Sequence, residues 1–282
     1  MERLSRHLLA TRLELVRAAC TGGESFRKGK MVAQPPCPGD RPSSSEAMSD
    51  NRGFALIHSP LLGPRSWQAV VDTLDSRGER AVLVDLSEGL GVLRGFYAAL
   101  GETASRQIDE RAILVAHSGA GALIPSILQA AGGRAHAVIF VDALLPHPGR
   151  SWFDTSPAAL TARLRREAQA GRAPPWPNWL PSDLLQRLLP DAAMRHGLIA
   201  DAPAAPLAFL DEPAPDGQAL APSGGCAYLQ LSSAYDREAK QARAAAWPVE
   251  RLDGHHLSIM AHASLVADSL VDLASRLLGS ET

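Results

Sequence analysis

The feature that most constrains the fold of this chain is an apolar run that ends at a serine among small residues. Residues 112–116 are apolar throughout, which predicts a buried strand, and residues 122–131 are typical of a helix. His117, Ser118 and two glycines lie in the short interval between them. A serine at such a tight strand-to-helix turn is typical of a nucleophile elbow, in which the strained turn exposes the hydroxyl to a pocket. We therefore predict that Ser118 is a nucleophile.

The residues around Ser118 fit an elbow but depart from the common pattern at two positions. An elbow brings the residues two before and two after the serine close together, so both must be small. Here they are Ala116 and Ala120, where the common pattern has glycine. The N–H of Gly119 would lie at a helix N-terminus, where it can face negative charge that develops on an oxygen. The alternative is an incidental serine in a loop; the glycine and lysine patterns of phosphate-binding loops are not present.

The rest of the chain alternates short apolar runs with helical patterns. Strands that are apolar throughout and alternate with helices predict a parallel sheet that is covered on both faces. We therefore expect an α/β fold with a mostly parallel sheet of about six strands. The six predicted strands are residues 54–58, 81–85, 112–116, 137–142, 227–231 and 248–252.

Differences in composition divide the chain into four segments. Residues 1–50 have the composition of a linker, and we expect a disordered or artefactual extension; the alternative is a short helix that docks on a partner or a membrane surface. Residues 51–142 form the first part of the α/β core and residues 223–282 the second part. Residues 143–222 are rich in proline and tryptophan and predict a helical cap inserted over the C-terminal edge of the sheet. The alternative is a second domain or a packed excursion without a pocket.

Composition and charge limit the classes of function. The formal net charge of -2 favours neither a nucleic-acid partner nor an anionic membrane, and no apolar run is long enough for an integral membrane segment. Cys20, Cys37 and Cys226 lie far apart, which indicates free thiols in a reducing compartment. We therefore expect a cytoplasmic protein with a small-molecule substrate, no metal and no cofactor. The sequence leaves the oligomeric state open.

A catalytic serine needs a base and an acid at the same edge of the sheet. The base accepts the hydroxyl proton, and the acid holds the base in one tautomer. His256 is the candidate base, because residues 254–257 read Gly-x-His-Leu after the last strand, and His255 is the alternative. The candidate acid is Asp236, just beyond the penultimate strand, with Asp142 at the end of the fourth strand as the alternative.

Together these motifs resemble the α/β-hydrolase fold superfamily over about residues 53–280. They are His58 followed five residues later by Gly63 and then by Trp67, the Ala-His-Ser-Gly-Ala elbow, an aspartate after the penultimate strand and Gly-His-His-Leu near the end. They resemble in particular its compact, capped branch of small esterases, methylesterases and hydroxynitrile lyases. The resemblance implies a Ser–His–Asp triad in the chain order Ser…Asp…His.

The loop after the first strand departs from the pattern of that superfamily at two positions, because the usual His-Gly is here His58-Ser59 and the next residue is Pro60. Its members usually donate a second oxyanion hydrogen bond from the backbone position occupied here by Pro60, and proline has no N–H. Leu61 would supply the donor if the loop shifted by one residue, so Gly119 and Leu61 are the candidate oxyanion donors. Loss of one donor would lower the rate by about 10²–10³-fold.

Three functions are compatible with the resemblance. The first is a serine hydrolase that cleaves an ester, thioester or lactone of a small, largely apolar molecule through an acyl-enzyme on Ser118. The second is a lyase or cyclase that uses the same groups as acids and bases, in which a weakened oxyanion hole matters less. The third is a protein that keeps the pocket and binds a ligand without catalysis. A fold alone does not distinguish these functions.

Overall fold

A computed structural model describes residues 53–216 and 222–279 of the chain, so the extension expected over residues 1–50 lies outside the described residues. Six strands form one sheet in the order β2-β1-β3-β4-β5-β6, and each neighbouring pair is parallel. This arrangement confirms the α/β fold class. The strands are β1 (Phe54–Ile57), β2 (Ala81–Val84), β3 (Ala112–His117), β4 (Ala135–Val141), β5 (Cys226–Gln230) and β6 (Val249–Arg251).

Eleven α-helices connect and flank the strands in the described part of the chain. They are α1 (Gln68–Ser76), α2 (Phe96–Ser105), α3 (Ile124–Ala131), α4 (Trp152–Thr155), α5 (Ala158–Glu167), α6 (Ser182–Leu188), α7 (Ala192–Asp201), α8 (Leu207–Asp211), α9 (Asp236–Ala244), α10 (Ser258–Ala261) and α11 (Ala263–Leu278). Short 3₁₀ helices occupy Pro64–Trp67, Glu88–Gly91, Ser118–Leu123, Trp176–Trp179 and Ser233–Tyr235.

The central strands are apolar throughout because helices cover both of their faces. Successive residues of a strand point to opposite faces, and β3 follows this rule. Leu114 packs in one core cluster with residues of α2, α3 and α9. Val115 packs in a second cluster with residues of α1 and α11. The edge strands β2 and β6 are only partly buried, whereas every residue of β3, β4 and β5 is buried.

The backbone at Gly95 and at His262 determines where α2 begins and where α10 is separated from α11. Residues 90–107 have the pattern of one helix, but α2 begins only at Phe96, because Gly95 has a left-handed φ of 71°. The side chain of Glu212 accepts the N–H groups of Gly95 and Tyr97 at 2.8 and 3.1 Å, which satisfies the start of the helix. Residues 258–278 also have the pattern of one helix, but it is interrupted at His262, which separates α10 from α11.

The segment between β4 and β5 packs on the same core as the sheet. Its described part contains α4 to α8 and the 3₁₀ helix Trp176–Trp179. Phe153, Leu164 and Trp179 belong to the first core cluster, and Leu188 and Leu198 belong to the second. The segment therefore shares the apolar core of the α/β layer.

Two further observations describe the chemical character of the fold. Among the described residues, no helix combines the length and the apolar composition that crossing a membrane requires. Cys226 is unpaired and buried at the start of β5. Burial raises the pKa of its thiol to about 12, because the thiolate would lose its hydration. The thiol of Cys226 is therefore protonated at neutral pH.

Gly121 allows the turn after β3 to approach the turn after β4. A Cβ at Gly121 would lie 2.0 Å from the carbonyl oxygen of Leu144, which is far inside van der Waals contact. We expect Gly121→Ala to lower the free energy of unfolding by about 1–3 kcal/mol or more, because the backbone must shift to relieve the clash. Urea unfolding monitored by circular dichroism measures this change.

Gly197 provides the matched control, because it lies within α7 and a Cβ there would meet nothing within 4 Å. We expect Gly197→Ala to raise the free energy of unfolding by about 0.5–1 kcal/mol, since alanine is the better helix former. Equal stability of Gly121→Ala and the unmodified protein would contradict the close approach of the two turns.

Candidate active site

Ser118 lies at the tight turn between β3 and the 3₁₀ helix Ser118–Leu123. Its φ is 56°, in the left-handed region, which typically costs a residue with a side chain about 1–3 kcal/mol. The segment after β4 restrains this turn, because the N–H of Leu144 donates to the carbonyl oxygen of Ser118 at 2.9 Å. The half-buried Ser118 lines a cavity at the carboxyl ends of the strands. The local geometry is that of an elbow which exposes the serine hydroxyl.

His256 connects Ser118 to a buried carboxylate. Its Nε2 lies 3.0 Å from Ser118 Oγ, and its Nδ1 lies 2.8 Å from Asp142 Oδ2. A carboxylate only accepts hydrogen bonds, so Nδ1 carries the hydrogen and Nε2 is free to accept the hydroxyl proton of Ser118. The imidazole is 7% exposed, in the loop between β6 and α10. The three side chains thus form one continuous hydrogen-bonded chain.

Asp142 follows β4 directly and is completely buried. Its carboxylate accepts four hydrogen bonds, one from His256 and three from the two residues that follow the adjacent strand β5. The latter come from the N–H of Leu231 at 3.0 Å, the N–H of Ser232 at 3.0 Å and the hydroxyl of Ser232 at 2.7 Å. A buried charge is tolerated when it is paired and fully hydrogen-bonded, and Asp142 meets this condition.

The structure corrects the expectation that Asp236 contacts the candidate base. Asp236 begins α9 with its side chain 61% exposed, where it accepts a hydrogen bond from the Gln230 side chain and lies 3.8 Å from Arg251. After β5 the chain first makes the 3₁₀ turn Ser233–Tyr235, which carries Asp236 beyond the imidazole. The carboxylate beside His256 belongs to Asp142, the alternative. No local pattern in the sequence decides between the two aspartates, because each lies near the end of a predicted strand.

His255, the alternative base, is directed away from Ser118. Its backbone N–H donates to Ser258 Oγ at 2.9 Å, and its ring Nδ1 accepts the backbone N–H of Leu257 at 3.2 Å. Its ring packs edge-on against His262, with ring centroids 5.5 Å apart. His255 therefore contributes to the turn that presents His256.

Two aromatic rings that the sequence analysis did not assign hold His256 between them. His117 stacks on one side with ring centroids 4.5 Å apart, and Tyr235 stacks at 5.2 Å with an interplanar angle of 13°. The Nε2–H of His117 also donates to the carbonyl oxygen of His256 at 3.1 Å. Full burial, followed by the neighbouring His256, lowers the pKa of His117 well below its usual value, which keeps its ring neutral.

His58 connects the loop after β1 to the turn after β2, and the same loop lies beside the elbow. His58 Nδ1–H donates to the carbonyl oxygen of Ser59 at 2.8 Å, and Nε2 accepts the N–H of Leu86 at 2.9 Å. A Cβ at Gly119 would lie 3.1 Å from Ser59 Oγ and 3.6 Å from Pro60 Cδ. The loop therefore lies directly beside the residue that follows the candidate nucleophile.

The two candidate oxyanion donors have different surroundings. Gly119 and Leu61 both line the cavity beside Ser118. Gly119 lies in the first turn of a 3₁₀ helix, where N–H groups have no partner within the helix. The N–H of Leu61 instead donates to Ser59 Oγ at 3.2 Å. Leu61, the candidate that would replace Pro60 as a donor, thus has an N–H that already donates to a serine hydroxyl.

The cavity beside Ser118 has a volume of about 100 Å³ and is mainly apolar. Among the described residues that line it, the ionisable side chains are His256 and Tyr235. Its apolar walls come largely from the segment between β4 and β5, namely from Leu144, Trp152, Leu160, Trp176, Trp179 and Leu180. The cavity fits a neutral, apolar group next to the serine hydroxyl.

Neither family models nor curated protein sequences match this chain. Solved structures do match it. An extracellular α/β-hydrolase from a Paenibacillus species, described as sharing structural and functional homology with tobacco salicylic acid binding protein 2, has a TM-score of 0.63 and 18% identity over 78% of this chain and 98% of its own. A pyrethroid hydrolase from Sphingobium faniae has a TM-score of 0.57 and 20% identity over 80% and 98% of the two chains.

A variant of tomato methylketone synthase I is a third match, with a TM-score of 0.56 and 15% identity over 80% of this chain and 98% of its own. At such low identity the similarity of these three structures establishes the fold and leaves the activity open. The parallel six-stranded sheet and the three matches together show that the chain has the α/β-hydrolase fold.

The buried His117 and the half-buried His255 make the stability of the fold sensitive to acid. Burial, followed by the neighbouring His262 and His256, lowers the pKa of His255 from 6.5 to about 4, and the pKa of His117 is lowered in the same direction. Below about pH 6.5 the unfolded chain therefore binds more protons than the folded chain. We expect the free energy of unfolding to fall as the pH is lowered from 7 to 4.

Urea unfolding at a series of pH values tests this expectation. We expect His255→Asn to have a shallower dependence of stability on pH than the unmodified protein, because one proton-binding difference is removed. The exposed His196 on α7 provides a matched control, His196→Asn. An unchanged slope in His255→Asn would contradict the role of His255.

Proposed function

We propose that this protein with the α/β-hydrolase fold is a serine hydrolase that cleaves an ester, thioester or lactone of a small, largely apolar molecule. The observation that carries the proposal is the continuous chain of hydrogen bonds from Ser118 through His256 to Asp142, at 3.0 and 2.8 Å. This chain ends at an apolar cavity. A nucleophile, a base and an orienting acid in such contact are the groups that acyl transfer requires.

The reaction proceeds through an acyl-enzyme. Ser118 Oγ attacks the acyl carbon while its proton passes to His256 Nε2, and the Asp142 carboxylate stabilises the imidazolium that forms. The tetrahedral intermediate expels the leaving group, which takes the proton from His256. Water, activated by the same imidazole, then releases the acid and restores the free hydroxyl of Ser118.

The cavity favours a neutral acyl group. Its tryptophans, Trp152, Trp176 and Trp179, come from the segment between β4 and β5, and we propose that residues 143–222 act as a helical cap which shapes the acyl pocket. A carboxylate or an ammonium group on the acyl chain would be desolvated there without a partner, which is unfavourable. Two of the similar structures are hydrolases by name, which supports the reaction class without defining the substrate.

A lyase or cyclase is the second candidate, and the loop after β1 favours it. Pro60 has no N–H and the N–H of Leu61 donates to Ser59, so backbone stabilisation of an oxyanion is weaker than in a standard site. A reaction in which Ser118 and His256 only transfer protons depends less on that stabilisation. One of the similar structures is a synthase by name.

Covalent labelling separates these candidates. We expect a fluorophosphonate probe to label the protein at Ser118, because His256 activates the hydroxyl, and we expect Ser118→Ala not to be labelled. Intact-mass spectrometry measures the adduct, and circular dichroism verifies that both proteins are folded. An unlabelled but folded protein would exclude the acyl-enzyme. Labelling without hydrolysis of a panel of short p-nitrophenyl esters would favour a selective hydrolase or the lyase.

A pair of aspartate variants tests which carboxylate orients the base. We expect Asp142→Asn to lower kcat for p-nitrophenyl butyrate by about 10⁴-fold, because the amide favours the wrong tautomer of His256. Asp236→Asn is the matched control and should remain near the unmodified rate, since Asp236 is exposed and contacts Gln230 and Arg251. Comparable losses in the two variants would be inconsistent with Asp142 as the orienting acid.

A further inference from the structure

Tyr235 lies at the candidate active site without a role in the reaction described above. It ends the 3₁₀ turn between β5 and α9 and lines the same cavity as Ser118. Its ring is nearly parallel to that of His256, with centroids 5.2 Å apart. Its hydroxyl oxygen lies 3.3 Å from Ser118 Oγ. Two side chains of the site thus contact the oxygen of the candidate nucleophile.

The direction of the hydrogen bond between Tyr235 and Ser118 follows from the neighbouring contacts. Asp142 fixes the hydrogen of His256 on Nδ1, so Nε2 accepts the single hydroxyl proton of Ser118. Ser118 Oγ therefore accepts, and the phenol of Tyr235 donates. At 3.3 Å this bond is longer and weaker than the usual O–H···O bond of about 2.7–2.8 Å, so a better acceptor close to the phenol would compete with it.

That better acceptor forms when Ser118 attacks. The new bond from Ser118 Oγ to the acyl carbon makes Oγ an uncharged, weaker acceptor, while the electron pair of the C=O π bond moves to the carbonyl oxygen. This oxyanion is attached to the same carbon as Oγ, so it forms next to the phenol. Collapse of the intermediate returns the electron pair to the C=O bond, breaks the bond to the leaving group and transfers the His256 proton to that group.

The backbone around Ser118 leaves a place for such a donor. Gly119 provides one N–H, Pro60 provides none, and the N–H of Leu61 already donates to Ser59 Oγ at 3.2 Å. We propose that the hydroxyl of Tyr235 is the second donor of the oxyanion hole and thereby compensates for Pro60. This inference rests on the proposed serine hydrolase function.

The turn that carries Tyr235 is tied to the orienting acid. Ser232 donates to Asp142 through both its N–H and its hydroxyl, and the N–H of Tyr235 donates to the carbonyl oxygen of Ser232 at 3.4 Å. Stacking on His256 restrains the ring further. The phenol is therefore positioned before substrate binds, which is the condition under which a hydrogen-bond donor stabilises a transition state most effectively.

Tyr235→Phe tests the inference, because it keeps the stacked ring and removes only the hydroxyl. We expect kcat/KM for p-nitrophenyl butyrate to fall by about 10²-fold. An oxyanion forms in both acylation and deacylation, so rapid-mixing kinetics should show both steps slowed. The loss should also be the same for phenyl butyrates whose leaving groups differ in pKa. Tyr97→Phe, at a buried tyrosine of α2 that packs on Phe209, is the matched control and should retain the unmodified rate.

Other outcomes would overturn the inference. Unchanged kinetics in Tyr235→Phe, or a change in KM alone, would leave the ring with a packing role only. A loss confined to acylation that grows with the pKa of the leaving group would assign the phenol to leaving-group protonation instead. Fluorophosphonate labelling of the unmodified protein is measured in parallel. Failure to label overturns the hydrolase proposal itself, whereas labelling with a fully active Tyr235→Phe overturns only the role of Tyr235.

Discussion

The burial of the Asp142 charge is the constraint on which the rest of the site depends. Removing a carboxylate from water is costly unless hydrogen bonds replace its hydration, and Asp142 receives four. Three come from the two residues that follow β5 and one from His256, so the charge draws together two segments that are distant in sequence. The contact with His256 also determines the tautomer of its ring. That tautomer determines the direction of the hydrogen bond from Ser118 to His256 and of the one from Tyr235 to Ser118.

Two neighbouring strands end in left-handed backbone, and each of these turns is restrained by a contact from another part of the chain. Ser118 after β3 and Asp142 after β4 have φ values of 56° and 42°. The N–H of Leu144 donates to the carbonyl oxygen of Ser118, and the hydroxyl of Tyr228 bonds both the N–H and the carbonyl oxygen of Ala143. Strained conformations persist where the surroundings determine them in this way. Ser118 and Asp142 are thus held by contacts from the turn after β4 and from the neighbouring strand β5.

The sequence predicted the fold and much of the site, because both are carried by local patterns. Buried strands are recognisable as apolar runs. Ser118 lies two residues after such a run, and His256 lies within the short motif of residues 254–257. The choice between Asp142 and Asp236 depends on which carboxylate reaches across to a neighbouring strand, which no local pattern encodes. Tyr235 and the pairing of Leu61 with Ser59 were not predicted for a similar reason, since the path of each loop is determined by tertiary contacts such as those of His58 and Ser232.

The cavity and the hydrogen-bonded side chains have separate origins in the chain. Ser118, His256 and Asp142 lie at the ends of strands, whereas Trp152 and Trp176 belong to the segment between β4 and β5. Substitutions in that segment can reshape the cavity while leaving the hydrogen bonds among Ser118, His256 and Asp142 intact. Evolution can therefore alter which molecules the cavity accepts in small steps, each of which keeps the hydrogen-bonded chain from Ser118 to Asp142.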